Sequence, residues 1–456
     1  MTSPKPSGRQ RTPTALERLN PDAAGIDIGA SSHFVSVPED RDDQPVREFA
    51  AYTADLYRLA DWLTACRVRT VAMESTGVYW IPLYQVLEER GFEVRLVDAR
   101  KARNVSGRKT DVQDCQWLQQ LHTYGLLAGA FRPDDETVVL RTYSRQRDEL
   151  VRQGGQHLQR MQKALELMNV KLTEVIADIG GETGQKIIDA MLAGERRPAV
   201  LAKLRHPRCK QEEETFARAL QGHYRGEHLF ALKQSQTQWR QTQALIQECD
   251  VEIARLLKAW TPDGQDPPAE ELPADRKRHA SKNGLSFDAR ADLAQMTGGI
   301  DLTAIPGLST TSVFTILSET GTDMTRFGTA KRFASWLGLA PDNKISGGKI
   351  LSSGTRPCAN RASKVFRIAA YGMHHAKSSL GAYYRRMRAK LGAPKAITAV
   401  AHKLARIFFT MLANRRQFTD IGQDAYEQQY KDRQVKAISR QAKHLGFTLT
   451  PIPAAT

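Results

Sequence analysis

Ala24-Gly25-Ile26-Asp27-Ile28-Gly29 reads as a short buried strand that one carboxylate interrupts and a glycine closes. A charge in a central strand is costly unless it is paired or bound to a metal ion. His33-Phe34-Val35-Ser36-Val37 follows at hairpin distance, and a third candidate strand lies at Val46-Arg47-Glu48-Phe49. Leu56, Leu59, Ala60 and Leu63 are spaced as one face of a helix. Thr70-Val71-Ala72-Met73-Glu74 is a buried-looking strand with a carboxylate at its end, followed by Ser75-Thr76-Gly77. Val78 to Arg90 reads as a helix stopped by Gly91, and Phe92-Glu93-Val94-Arg95-Leu96-Val97 as another strand. Strands alternating with helices predict an α/β layer fold, with ligands expected at the strand ends.

Outward from that sheet comes Lys109-Thr110-Asp111-Val112-Gln113-Asp114, where Thr110 can cap a helix running on through Leu121. Its two aspartates are three apart and share one face near the positive end of the helix dipole. Like charges placed side by side call for a cation or a basic group between them. Taken singly, Asp27 can be a strand-edge residue, Glu74 a surface acid, and Asp111 with Asp114 a solvated helix start. Several oxygen ligands from different elements are what a hard cation such as Mg²⁺ requires. Two such ions, roughly 3.5–4 Å apart, can activate a nucleophile and stabilise a leaving oxygen in phosphodiester chemistry.

The 456 residues suffice for two or three domains. Apolar residues make up 41%, and no apolar run reads as long enough to span a bilayer, so no membrane role is expected. The first 20 residues form a polar, basic arm with no apolar h-region. The five cysteines (Cys66, Cys115, Cys209, Cys249, Cys358) are scattered and contain no C-x-x-C pair, which excludes a zinc ribbon or a disulfide framework and fits a reducing cytoplasm. The formal net charge of +16 is unevenly placed: residues 343–419 hold 16 Lys and Arg and no Asp or Glu. Cations this dense suit a polyanion whose counterions are released on binding.

Past Pro133 the pattern becomes helical. Leu158, Met161, Leu165 and Met168 recur at heptad-like spacing in a segment starting near Thr137 and broken at Gly154-Gly155. A second long tract from Glu212 to Trp260 carries Trp239, Leu245, Ile253 and Leu257, so the two predict an antiparallel or intermolecular coiled coil. Residues 261–299 read as a linker. Ile305-Pro306-Gly307-Leu308 between helical segments resembles a helix-hairpin-helix element, whose backbone N–H groups can hold a phosphate oxygen. Trp336-Leu337-Gly338-Leu339-Ala340-Pro341 then leads into Ile345-Ser346-Gly347-Gly348-Lys349, a flexible, phosphate-friendly loop. On physics alone Ser346 is a turn or phosphate contact, since no His–Asp pair lies near to activate it. Candidate nucleic-acid contacts are Lys109, Gly307, Gly347, Gly348, Lys349, Arg356, Arg361, Arg367, Arg385 and Arg386; beside the last two, Tyr383-Tyr384 adds stacking surfaces. No function attaches to the tail beyond Asp420.

Gly25-Ile26-Asp27, Glu74-Ser75-Thr76-Gly77-Val78-Tyr79-Trp80 and Lys109-Thr110-Asp111 with Asp114 resemble the DEDD transposases of bacterial insertion sequences, the insertion sequence one-ten group. The resemblance implies a RuvC-like (RNase H-like) α/β domain over residues 21–135 whose Asp27, Glu74, Asp111 and Asp114 hold Mg²⁺. It further implies an α-helical transposase domain over 300–420 but is silent from about Ile179 to Gly299; the helical coiled-coil spacer over 136–260, the linker over 261–299 and the tail over 421–456 are read from the residues themselves. The Ser-Gly-Gly-Lys string after Gly-Leu-x-Pro is similar to the family's nucleophile loop, which makes Ser346 the residue that would attack DNA and form a phosphoserine link. Also implied are double-stranded donor and target DNA, a structured non-coding bridge RNA as guide, a dimer assembling to a tetramer, and a bacterial, nucleoid-associated setting. Where many relatives carry Gly-Asn and then Leu-Arg, this chain has Cys358-Ala359-Asn360-Arg361 and later Phe366-Arg367. Rival readings are a Holliday-junction-type nuclease using water, an actin-like or sugar-kinase-type ATPase suggested by Gly25-Ile26-Asp27-Ile28-Gly29, and a purely structural nucleic-acid binder.

Overall fold

The computed structural model describes residues 17–75, 77–97, 110–260 and 282–450. Lys109 and Thr76, singled out above, lie outside them, as do most of the N-terminal arm and residues 261–281 of the linker. The chain divides into two compact units, Met1–Arg132 and Pro133–Thr456.

The first unit is built on a five-stranded mixed sheet with the order β3-β2-β1-β4-β5. Its strands are β1 (Ala23–Ile28), β2 (Ser32–Ser36), β3 (Val46–Ala50), β4 (Thr70–Glu74) and β5 (Glu93–Val97). β1, β2 and β3 pair antiparallel, whereas β4 pairs parallel with both β1 and β5. The parallel half needs crossovers, and α1 (Thr53–Ala65) and α2 (Trp80–Glu89) supply them. α1 buries Leu56, Leu59, Ala60 and Leu63, the face its spacing predicts, against Ile26, Val35, Val71 and Met73. Gly91 ends α2 with φ +81°, a conformation that a side chain would strain. A third helix, α3 (Asp111–Thr123), packs on β1 and β2 and covers Ala72, Val97 and Leu127 with Leu118. The result is a sheet with flanking helices, consistent with an α/β nuclease-like domain.

The second unit is almost wholly helical. Its scaffold is a pair of long helices, α4 (Asp135–Leu167) and α9 (Gly226–Ala259). Between them lie α5 (Leu172–Val175), α6 (Glu182–Leu192), α7 (Pro198–Ala202) and α8 (Glu213–Ala219). Two expectations need correcting. α4 runs unbroken through Gly154-Gly155, because the missing side chain lets α9 come close: a Cβ on Gly154 would stand 3.2 Å from Gln243 Nε2. The tract from Glu212 to Trp260 is divided into α8 and α9 by Leu220–Arg225, where Leu220 turns into the core. The pairing is intrachain and antiparallel, since Arg147 meets Asp250 and Gly154 meets Thr242.

Beyond residue 281 come α10 (Arg290–Met296), α11 (Thr310–Thr320), α12 (Ala330–Trp336), α13 (Arg361–Tyr371), α14 (Ser379–Leu391), α15 (Ala393–Asn414) and α16 (Gln423–His444). α10 makes the last third of the expected linker a folded element, with Leu293 and Ala294 buried and Arg290 paired to Asp301 at 2.7 Å. α15 corrects the reading that no segment is apolar and long enough to cross a membrane: it passes on length and composition. Here its apolar face serves as a core, with Val400, Leu404, Ala405 and Phe408 buried and Phe408 packed on Phe333 and Phe366. The tail is a helix, α16, docked on α14.

Arg147 and Asp250 are the buried ion pair between the long helices, joined at 2.5 Å with side chains 3% and 2% exposed. The remaining groups are satisfied: Arg147 donates to Asn283 O and Gly284 O, and Asp250 accepts from Ser286 N. Asp250→Ala is expected to cost about 3–5 kcal/mol, because it leaves a buried guanidinium without its counter-charge. Urea unfolding of the full chain reads this as a lower midpoint, against an unchanged midpoint for Arg152→Ala in the exposed pair with Glu149.

Candidate functional site

In the first unit, the position of the acids follows from how α3 meets β1. Gly25 has no side chain, and a Cβ there would sit 2.3 Å from both Cys115 O and Gln119 N, so the helix backbone rests directly on the strand. Gln119 Nε2 reaches Ala23 O, and Asn20 bonds to the carbonyls of His122 and Thr123. The helix therefore runs opposite to β1, and its first turn rises toward Asp27. Thr110 caps that turn as expected, its hydroxyl accepting from Gln113 N at 3.3 Å. Asp111 is exposed and Asp114 half-buried, both in the first turn. On the other side, the parallel register pairs Ile26 with Met73, so Asp27 and Glu74 follow at the same end of neighbouring strands. Both are half-buried.

The Cys115 thiol reports on this arrangement. Burial, reinforced by the charges of Asp27 and Asp114, pushes it up to about 12. It stays protonated at neutral pH and donates to Val112 O. The donors at this end of the sheet are then carboxylate oxygens, which suit a hard divalent cation. Their side chains are not drawn together: among the described residues no three His, Cys, Asp or Glu side chains form a group that could hold a metal ion. Immediately after Glu74, Gly77 adopts φ +60°, and the turn leaves Val78 and Tyr79 exposed, an apolar and aromatic surface next to the acids.

In the second unit, Ser346 lies in a β-hairpin, not in the flexible loop its glycines suggested. β6 (Lys344–Ser346) and β7 (Lys349–Ser352) pair with Ser346 opposite Lys349 and Ile345 opposite Ile350. Gly347 and Gly348 have φ +55° and +77°, the two positive values of a type I′ turn. Every residue of the two strands is exposed, and no atom lies within 4 Å of a Cβ built on either glycine. The hairpin continues through Asp342 N to Gly354 O and a bridge between Pro341 and Thr355. Its base is fixed where Gly338 lies against Cys358, with 2.5 Å to a would-be Cβ.

The other candidate contacts divide by whether their charge is free to face a ligand. Lys349 stands on the open hairpin, and Arg356, also exposed, bonds only to Ser335 O at 3.3 Å. Arg361 is turned inward onto Asp148 and Glu319, and burial pulls its guanidinium down to about 10. Arg367 braces Thr398 and Gly338 O, while Arg385 ties His374 O and Ala376 O to Gln423. Arg386 packs against tyrosines of α16. Gly307, with φ +86°, abuts α13 and the turn after it, where a Cβ would stand 3.1 Å from Ala369 O and 2.3 Å from Met373 Cε. Before it stands only a 3-10 turn, Leu302–Ala304, in place of the expected helix. Charge counting could not separate these two groups, because the acids that engage Arg361 lie far away in sequence.

At the far end of α3, His122 is 1% exposed, with Nε2 2.8 Å from Thr70 Oγ1. Burial, with Arg95 adding to it, lowers this imidazole from 6.5 to about 4. The unfolded chain then takes up this proton at higher pH than the folded chain. The stability is complete above about pH 6.5 and falls as the pH drops toward 4, by roughly 3 kcal/mol at most. His122→Gln is expected to flatten that part of the acid limb, read from denaturation midpoints at pH 7 and 4.5.

Two family models match the chain. One, for the DEDD type of IS110 and described as a transposase, matches residues 24–170; the other, described as the transposase IS116/IS110/IS902 family, matches residues 301–385. The first spans β1, β4 and α3 with their four acids, and the second spans the hairpin of Ser346. No curated protein matches the chain.

Proposed function

We propose a two-centre mechanism for this chain, which belongs to the IS110 family of DEDD transposases and so is a DNA-binding enzyme of strand cleavage and transfer. In this reading Ser346 is the nucleophile, and Asp27, Glu74, Asp111 and Asp114 are the acids that serve it. The observation carrying it is the hairpin: a serine at the tip of an exposed ribbon, between Lys344 and Lys349, beside two glycines whose surroundings are open. Such a tip can enter a groove of DNA and bring a hydroxyl to a phosphorus atom, with lysines positioned against the flanking phosphates.

The step balances as a transesterification. The Ser346 Oγ–P bond forms, the bond from phosphorus to a sugar oxygen breaks, and the leaving strand departs with the proton that Ser346 gave up. The phosphoserine keeps the energy of the broken ester, so a second strand's hydroxyl can reverse the reaction and rejoin DNA. The acid set would come from another protomer of the assembly, which makes the centre composite. Asp27, Glu74, Asp111 and Asp114 are the residues that would hold Mg²⁺, and their oxygen-only character supports that choice over a softer ion. When bound, the ion supplies charge neutralisation at the phosphate and lowers the cost of the displaced oxygen. The acids are spread over two strand ends and one helix start, so closing them into a site is work left to substrate and metal binding.

For sequence recognition we carry over the guide RNA that the family resemblance implies. The acid-free basic stretch from 343 to 419 supports a polyanion, and pairing between nucleic acids would relieve the protein of reading bases. Oligomerisation as a dimer assembling to a tetramer is part of the same reading.

Incubating the protein with element-end DNA and co-expressed flanking RNA should give a covalent protein–DNA adduct. Ser346→Ala and Asp27→Asn should each reduce it by roughly three orders of magnitude or more. Cleavage that survives Ser346→Ala would assign the chemistry to water. An adduct formed equally well after ribonuclease treatment would remove the guide.

A further inference from the structure

The tail that the sequence left without a role lines an open groove. α14, α15 and α16 border about 760 Å³ lined by Arg386, His402, Lys403, Arg406, Arg416 and Arg433, with no acidic residue among the lining side chains. We infer that this groove is a phosphate-binding site, completed only when α16 is docked.

Charge and geometry both lead there. Arg386 and Lys403 are held together on shared tyrosines. The guanidinium of Arg386 lies 3.9 Å from the ring centre of Tyr430 and 5.1 Å from that of Tyr426, and Lys403 Nζ lies 4.5 Å from Tyr383 and 5.1 Å from Tyr426. Two cations thus approach the same rings, with Arg433 adding a third charge from the next turn of α16. Burial, and then the neighbouring Arg386 and Arg433, lower the Lys403 ammonium, so the cluster resists its own charge. Asp420 offsets part of this, but its carboxylate is committed to the backbone N–H groups of Ser379 and Gly422. Nη1 of Arg386 is buried and has no hydrogen-bond partner. A half-buried cationic cluster is stabilised by an anion that accepts several hydrogen bonds at once, which phosphate does better than a carboxylate.

The same rings argue against a nucleobase. Tyr383 and Tyr426 already have cations on them, which leaves them poorly placed for stacking of the kind single-strand binders use. Recognition here is of phosphate alone, from a nucleic-acid backbone or as the free ion. Tyr426, Gln429 and Arg433 of α16 line the groove, so ligand binding and tail docking reinforce each other. None of this depends on Ser346 or the four acids.

The test uses the full chain with Lys403→Met and Arg433→Gln, and with Arg440→Gln as a control on the exposed part of α16. Calorimetric titration with inorganic phosphate, at ionic strength fixed with chloride, should show binding that weakens at least fivefold in the first two variants and less than twofold in the control. Arg433 is exposed, so its variant retains the packed tail even if Lys403→Met loosens it. No saturable phosphate heat in the wild type, or equal affinities in all four proteins, overturns the site. A second arm measures a fluorescein-labelled single-stranded 20-mer by anisotropy against salt. If both pocket variants weaken it beyond the control and lower its salt slope by about one, the source is a phosphodiester. If phosphate binding is lost while the 20-mer is bound as by the control, the source is the free ion.

Discussion

The contact of α3 with β1 at Gly25 is the constraint from which the first unit's chemistry follows. Helix backbone and strand backbone touch there with no side chain between them, which fixes both the height and the direction of the helix. Because α3 runs opposite to β1, its capped N-terminus and two aspartates come to the end of the sheet where Asp27 and Glu74 stand. The helix dipole eases the charge of Asp111 and Asp114, but it does nothing for the half-buried acids on the strands.

In the second unit, arginine is used as a structural element more than as a ligand. Arg147 joins the two long helices through Asp250, and Arg141, Arg145 and Arg361 gather around the buried Glu319. Arg141 also donates to Ser318 O and Glu319 O, so α4 is tied to α11 through backbone as well as charge. These arginines are largely spent on folding. The cations that remain available stand on the hairpin of Ser346 and around the groove lined by α16. The net charge therefore overstates how many cations are free to meet a polyanion.

The two parts of the proposed chemistry are built in opposite ways. The acids sit on elements anchored in a core, so their backbones are fixed while their side chains still have to converge. Ser346 sits at the tip of a two-stranded ribbon that has no neighbouring strand and exposes Ile345, Ile350 and Leu351. An isolated hairpin is marginally stable. Its shape comes from the two glycines and from the close contact of Gly338 with Cys358 at its base, which suits a part that must fit around a substrate.

The sequence by itself determined the five strands and first two crossovers, the cap at Thr110, the placement of four acids at element ends and the basic character of the C-terminal half. Each is written in local patterns: alternation, helical spacing, a capping threonine, a run without carboxylates. Tertiary structure alone decided the rest. Gly154-Gly155 looks like a break until α9 needs the space, and Gly307 looks like a phosphate loop until α13 fills it. Arg361 and Arg367 read as nucleic-acid contacts until Glu319 and Thr398 engage them. The tail had no reading until Tyr426 and Tyr430 met Arg386. In each case the deciding partner lies tens of residues away, and a glycine's or an arginine's role depends on what packs against it.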